Sequence, residues 1–274
     1  MVYLLATFAN DADHMPSLLH ALAAELDVPE NPGAHETWGL GYYADDRALL
    51  IKKPASILHQ RNAYALAPEV RSRILLACAA GVGDRAAAPP YRFRRWLFAH
   101  LGDLTGLEAV RDTVRDKLPD FVRSEVNQPS GGALAFTMFL AELHRASVLE
   151  DQLADPSRLA QALARTADTV RRLAEEAGSG PVRASFVATN GRVVLVHQGG
   201  VALSRKLQTG LERLPAGPLD PALTDFKQLA AALKRFRAVV VAPGDLSDRP
   251  DWEVIGEAQS LVIDAHLGVS PVAP

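Results

Sequence analysis

Arg94-Arg95-Trp96-Leu97-Phe98-Ala99-His100-Leu101-Gly102-Asp103-Leu104 sets an apolar run, Trp96 to Ala99, between a pair of arginines and a histidine. A run this short, closed by turn-forming residues, is expected as a buried strand. The expected strand stops at His100, and Gly102 then lets the backbone turn sharply. A strand end carrying a His, a Gly and an Asp is a place where chemistry can be done. It is equally the end of an ordinary core strand. His100 and Asp103 are close enough in sequence to orient each other; the plainer expectation is a His at a strand end and an Asp opening a turn.

Other strands are expected on both sides of this segment. Residues 2–8 and 74–80 are short apolar runs, read as buried strands. Residues 37–43 and 47–52 flank Asp45-Asp46 and read as a hairpin. Thr189-Asn190-Gly191-Arg192 is a strong hairpin signal between 184–188 and 193–197. Late strands are expected over 238–242 and 259–264. Helices are expected over 16–26, 106–117, 133–149 and 224–236. A longer one opens at Asp155-Pro156-Ser157 and stops at Gly178, with Leu159, Leu163, Ala167, Val170 and Leu173 on one face. Strands come early and late with helices between them. That order points to antiparallel sheets packed with helices rather than to an alternating parallel α/β fold. Residues 1–268 read as a single domain and 269–274 as a loose tail.

Composition bounds the function. The chain has 274 residues, 48% of them hydrophobic, enough for a sizeable core. A net charge of -3 gives no reason to expect nucleic acid. The clusters Arg92, Arg94, Arg95 and Lys234, Arg235, Arg237 read as local solvated faces rather than a phosphate track. The single cysteine, Cys78, fits a reducing compartment, and no membrane span or leader is read in the sequence, so a cytoplasmic protein is expected. No phosphate-binding glycine loop and no metal-ligand spacing is present, so no cofactor and no metal are expected.

Taken together, these landmarks resemble the class II glutamine amidotransferases of the short stand-alone kind. Trp96 to Gly102 resembles that family's Trp-x-Phe-Ala-His-Asn-Gly segment. Val2-Tyr3-Leu4-Leu5 resembles its Met-Cys-Arg-Leu-Leu start, and Trp38-Gly39-Leu40-Gly41-Tyr42-Tyr43 its Trp-Gly-Ile-Gly-Tyr-Tyr. The stretch from Ala238 to Asp251-Trp252, and that from Ser260 to Asp264, resemble its closing strands. The resemblance spans nearly the whole chain. It implies an α+β fold, a four-layer αββα sandwich of two mostly antiparallel sheets, as in N-terminal-nucleophile hydrolases.

The resemblance also implies a chemistry whose working groups are replaced here. In the family, the residue after the initiator Met is a Cys that attacks the glutamine side-chain amide, with its own α-amino group as base. Val2 stands there and has no heteroatom to attack with. The family's oxyanion donors are an Asn and the following Gly; here they are Leu101 and Gly102. Losing one such donor typically costs about 100- to 1,000-fold in rate. The family's carboxylate-binding Arg maps to Leu76. Its acidic clamp for the substrate amine, in a Thr-Asp-Ser-Glu run, maps to Ser130-Gly131-Gly132-Ala133. The Asp-Gly before the family's Trp is Glu36-Thr37. The expected vestigial pocket comprises Val2, Trp38, Gly39, Leu76, His100, Leu101, Gly102, Asp103 and Gly131, with no catalytic residue assigned. Free glutamine would bind poorly there, because its charged ends would lose water without gaining partners.

Three functions stay open on the sequence. One is an inactive scaffold acting as a regulatory subunit with a protein partner or as a homodimer. Another is an active hydrolase or amidotransferase with a non-standard nucleophile, for which Cys78, Thr7 and Ser130 are the candidates. The last is a small-molecule sensor reusing the vacated pocket, with Val2, Leu76 and Leu101 as lining and Trp38 stacking on the ligand.

Overall fold

The computed structural model describes residues 3–26, 37–54, 70–80, 88–116, 118–125, 130–178, 182–211 and 226–273. In chain order, strand β1 (Tyr3–Ala9) and helix α1 (Met15–Glu25) are followed by β2 (Thr37–Ala44), β3 (Arg47–Pro54), β4 (Ile74–Ala80), β5 (Tyr91–Phe93) and β6 (Trp96–Gly102). A 3-10 segment, Thr105–Val110, leads into α2 (Arg111–Asp116), α3 (Asp120–Glu125), α4 (Gly131–Arg145) and α5 (Pro156–Glu176). The chain continues through β7 (Ala184–Thr189), β8 (Val194–His197), β9 (Leu203–Thr209), α6 (Phe226–Arg235) and β10 (Arg237–Pro243). It closes with β11 (Trp252–Val254), β12 (Ser260–Ile263) and β13 (Val269–Val272).

Among the described residues the strands form two sheets. One has seven strands in the order β11-β9-β10-β1-β4-β2-β3, the other six in the order β13-β12-β8-β7-β6-β5. Neighbouring strands pair antiparallel throughout. Strict alternation along the strands sorts the core into layers. Leu4, Ala6 and Phe8 of β1, Ile74, Leu76 and Cys78 of β4, and Leu97, Ala99 and Leu101 of β6 fill the gap between the sheets. Leu5, Ala9, Leu75 and Ala77 point the other way, against Met15, Leu18, Leu19 and Leu22 of α1. Trp96 and Phe98 point away from the gap, against Phe136, Phe139, Leu140 and Leu143 of α4 and Leu159 and Leu163 of α5. The result is the four-layer αββα sandwich, an α+β fold. Both faces of each central strand are covered, so the strands read as nearly continuous apolar runs, interrupted at Thr7, His100 and Ser185.

The glycines of Trp38-Gly39-Leu40-Gly41 have a packing reason. A Cβ on Gly39 would sit 2.8 Å from Pro90 Cδ, and one on Gly41 would sit 3.1 Å from Leu97 Cδ1. Their bare faces let the second sheet close on the first. At the Asp45-Asp46 turn both residues take positive φ, 48° and 60°, as a two-residue hairpin loop requires.

Several expectations change in the folded chain. The β6 strand does not stop at His100; it runs to Gly102, because β7 continues the ladder to the pair Gly102 and Ala184. The expected loose tail instead forms β13, an edge strand on β12. Pro271 is tolerated in it because an edge strand has one unpaired side. The single helix expected over 106–117 opens as a 3-10 segment before α2, and Lys117 lies outside the described residues. The helix expected over 133–149 spans Gly131–Arg145. It ends early because Ser147 adopts φ 57°, with Val148 N donating to Leu143 O at 2.9 Å and Ser147 N to His144 O at 2.8 Å. This is a Schellman stop built without glycine. Strand β9 was not expected: Arg205, Lys206 and Gln208 hide its pattern.

Candidate functional site

Helix α5 illustrates how local sequence fixes what surrounds the site. Asp155 caps it by accepting from Ser157 N at 3.0 Å, and Pro156 occupies its first turn. Its expected apolar face is buried. Its outer face carries ion pairs, Arg171 with Asp168 at 2.9 Å and Arg172 with Glu176 at 2.8 Å. That is a solvated face, opposite the buried one.

The expected pocket residues divide among three layers. Leu76 and Leu101 both lie in the core between the sheets, 0% and 5% exposed. Leu76 sits opposite Ala6 on β1 and Gly41 on β2. Trp38 lies on the outer face of the first sheet, in the cluster that includes α1, and its Nε1 has no partner among the described residues. Its neighbour Gly39 turns toward Pro89 and Pro90 in the gap. His100 lies on the helix side of the second sheet, on the face opposite Leu101. Val2 and Glu36 lie outside the described residues.

Around His100 the structure gathers residues the sequence did not group. Its ring stacks on Tyr91, centroids 6.2 Å apart and nearly parallel at 9°. The Tyr91 hydroxyl lies 3.2 Å from Ser130 Oγ. Ser130 caps α4 by accepting from Ala133 N at 3.2 Å. A Cβ on Gly132 would fall 2.3 Å from His100 Cε1, so α4 presses on the stack through a bare backbone. One on Gly131 would fall 1.9 Å from the Leu104 carbonyl oxygen. His100 Nδ1 is buried with no hydrogen-bond partner among the described residues. Burial pulls its pKa down to about 4, partly opposed by the Asp103 charge, so the ring is neutral at ordinary pH.

Asp103 does not orient His100 by a hydrogen bond. Its carboxylate accepts from Thr105 N at 2.9 Å and Thr105 Oγ1 at 2.8 Å, and those two bonds hold its pKa below the usual range. It opens a turn. Gly102 ends β6 at φ 117°, where a Cβ would meet the Arg183 carbonyl oxygen at 2.2 Å. Of the alternative nucleophiles, Cys78 is buried and free, and burial pushes its thiol pKa strongly up. The Lys52 charge opposes that upward shift only in part. The Thr7 hydroxyl is spent on Met15 Sδ at 3.3 Å.

A row of paired residues crosses the second sheet on its helix side: His100, Phe186, His197 and Ser260. His197 Nδ1 is 2.9 Å from Ser260 Oγ, and burial lowers its pKa. Phe186 and His197 line a cavity of about 340 Å³ beside α5, with Asp168, Arg171, Arg183 and Glu257 at its polar side. The cross-strand register was not legible in the sequence. Among the described residues no cluster of three or more His, Cys, Asp or Glu could hold a metal ion, and no helix is long and apolar enough to cross a membrane.

Solved structures of the same architecture decide what this sandwich is. A glutamine aminotransferase class-II domain protein from Silicibacter pomeroyi superposes with a TM-score of 0.62 at 20% identity, over 99% of this chain and 100% of that one. The fold is that of class II glutamine amidotransferase domains. A predicted glutamine amidotransferase from Pseudomonas aeruginosa PA01 matches at 0.56 and 15% identity, covering 99% and 100%. The glutamine phosphoribosylpyrophosphate amidotransferase of B. subtilis matches at 0.52 and 9% identity, over 98% of this chain and 48% of that larger one. No protein-family model matches the chain, and no curated protein matches it in sequence. On this amidotransferase frame the Leu101 side chain, like that of Leu76, sits in the hydrocarbon between the sheets, and the His100 ring sits on the reverse side of β6.

Proposed function

We propose that this chain is a class II glutamine amidotransferase-like protein without glutaminase activity, serving as a regulatory or partner-binding subunit. One observation carries the reading. Leu76 and Leu101, which take the places of the family's substrate Arg and oxyanion Asn in the resemblance, both pack into the apolar core between the sheets. A carboxylate or a developing oxyanion brought there would be stripped of water and offered no side-chain donor. The raised pKa of Cys78 supports the same reading, since a thiol needs its thiolate form to attack. Purified protein incubated with millimolar glutamine is expected to release no glutamate above a heat-killed control. Sustained turnover proportional to protein concentration would end the proposal. The subunit role is tested separately, by whether the tagged chain co-purifies from its own cells in a defined stoichiometric complex or elutes alone as a monomer.

A sensing role also has a specific feature in its favour, though not in the vacated position. The cavity beside α5 combines Phe186, His197 and balanced charges, a lining suited to a zwitterionic amino-acid ligand. A thermal-shift screen of amino acids and γ-glutamyl compounds tests it. A ligand that binds only the folded state must raise the melting temperature.

A further inference from the structure

The arginine cluster at Arg92, Arg94 and Arg95 is larger in three dimensions than in sequence. The β2–β3 hairpin brings Arg47 to it. Arg47, Arg92, Arg94 and Arg95 line an open concavity of about 500 Å³ with Asp46, Ala48 and Leu49. In a chain whose net charge is -3, this is a marked local excess of positive charge. The carboxylates nearby do not cancel it. Glu150 is committed to an ion pair with Arg94, and among the described lining residues Asp46 is the single carboxylate set against four arginines.

Three of the four guanidinium groups are anchored rather than loose. Arg92 Nη1 donates to the Ala48 carbonyl at 3.1 Å, and Arg95 Nε donates to the Asn190 carbonyl at 3.0 Å. Arg94 lies over the Phe93 ring, 5.0 Å from its centroid. Each anchor spends part of a donor fork and holds the remainder in place. Arg47 is exposed and makes no ion pair among the described residues. Several fixed guanidinium forks around one concavity match the oxygens of a phosphate group, which accepts bidentate bonds from each.

The backbone adds an independent argument. Arg94 and Arg95 form the two-residue turn between β5 and β6, closed by the pair Phe93 and Trp96. Arg94 takes φ 50° there, a conformation for which Gly, Asn or Asp is the usual choice. Local preference is overridden to place an arginine at this spot, and such conflicts are expected at functional sites.

We infer that this concavity binds the phosphate group of a small phosphorylated ligand. Its size fits a small molecule rather than a strand of nucleic acid. The basic side chains of this concavity come from two hairpins, one at Arg47 and one at Arg92 to Arg95, and form a compact group rather than the track that successive backbone phosphates would require.

Inorganic pyrophosphate is the probe, titrated by thermal shift and calorimetry at constant ionic strength. The wild-type chain is expected to gain a few degrees in Tm at millimolar pyrophosphate. The double variant Arg47→Ala/Arg94→Gly is expected to lose most of that gain. Glycine relaxes the turn at φ 50°, so the variant still folds, and an Arg47→Lys variant is expected to retain a reduced response. No wild-type shift, or the same shift in the double variant, overturns the proposal. A short single-stranded oligonucleotide that binds more tightly than pyrophosphate, at equal phosphate concentration, overturns the small-ligand assignment.

Discussion

The Tyr43 hydroxyl lies 2.7 Å from the Arg95 carbonyl oxygen, and this contact joins the two sheets. The same hydroxyl is 2.9 Å from the Thr189 carbonyl oxygen, and Gly191 packs on the Tyr43 ring. One phenol on β2 therefore ties down the β5–β6 and β7–β8 turns of the opposite sheet. The hydroxyl carries one proton, so it donates to one carbonyl at a time. Burial pushes its ionisation upward, which keeps the donor in place across the ordinary pH range.

Tyr43→Phe leaves both carbonyls without this donor. The variant is expected to lose about 1–2 kcal/mol of stability in urea unfolding. Because Arg95 and Asn190 are neighbours of the contact, the variant is also expected to weaken pyrophosphate binding modestly. A stability equal to wild type would show that the hydroxyl is not a clamp.

Leu101→Asn introduces, at a position 5% exposed in the inter-sheet core, the residue type that the proposed match to class II amidotransferases assigns to the oxyanion donor. An amide placed there has no partner waiting for it, and the expected cost is about 1–3 kcal/mol. Glutaminase activity is expected to stay absent, since a donor without a nucleophile has nothing to stabilise. Measurable glutamate release by this single variant would mean the remaining machinery is intact.

His100 makes stability depend on pH with a definite sign. Its folded pKa is about 4, against 6.5 as the reference value. Above about pH 6.5 the ring is neutral in both states and contributes no slope. Between 6.5 and about 4 the unfolded chain takes up a proton that the folded chain refuses, so stability falls as pH falls. Below about 4 the loss is complete, roughly 3 kcal/mol at most. The charge facing the ring is Asp103, which opposes the shift, and Tyr91 stacks on it. His100→Gln is expected to flatten the difference curve in that window. Identical pH profiles for variant and wild type would show that the ring is solvated.

Cys78 is expected to resist thiol reagents in the folded state. It is 2% exposed, and burial disfavours its thiolate. Labelling should appear only with denaturant, at the rate at which the chain unfolds. Rapid labelling of the native protein would reopen the reading in which this thiol is a nucleophile.

The strands were legible because their burial is written locally. The run at 74–80 is apolar throughout and that at 184–188 is interrupted only by Ser185, and the Asn190-Gly191 and Asp45-Asp46 turns mark their own hairpins. The pocket was less legible. His100 and Leu101 are adjacent in sequence, and reading the strand as ended at His100 hid the fact that strand neighbours face opposite sides. Once β6 runs to Gly102, Leu101 belongs to the inter-sheet core and His100 to the helix side.

By itself, the sequence determined most of the strands and helices and the apolar side chains at positions 76 and 101, because burial, turns and side-chain chemistry are short-range properties of the chain. Only the tertiary structure decided that Arg47 joins Arg92, Arg94 and Arg95, that Tyr91 and Gly132 enclose His100, and that His197 aligns with Phe186 and Ser260. Those groupings depend on which strands become neighbours and in what register, and register is set by packing between segments far apart in the chain.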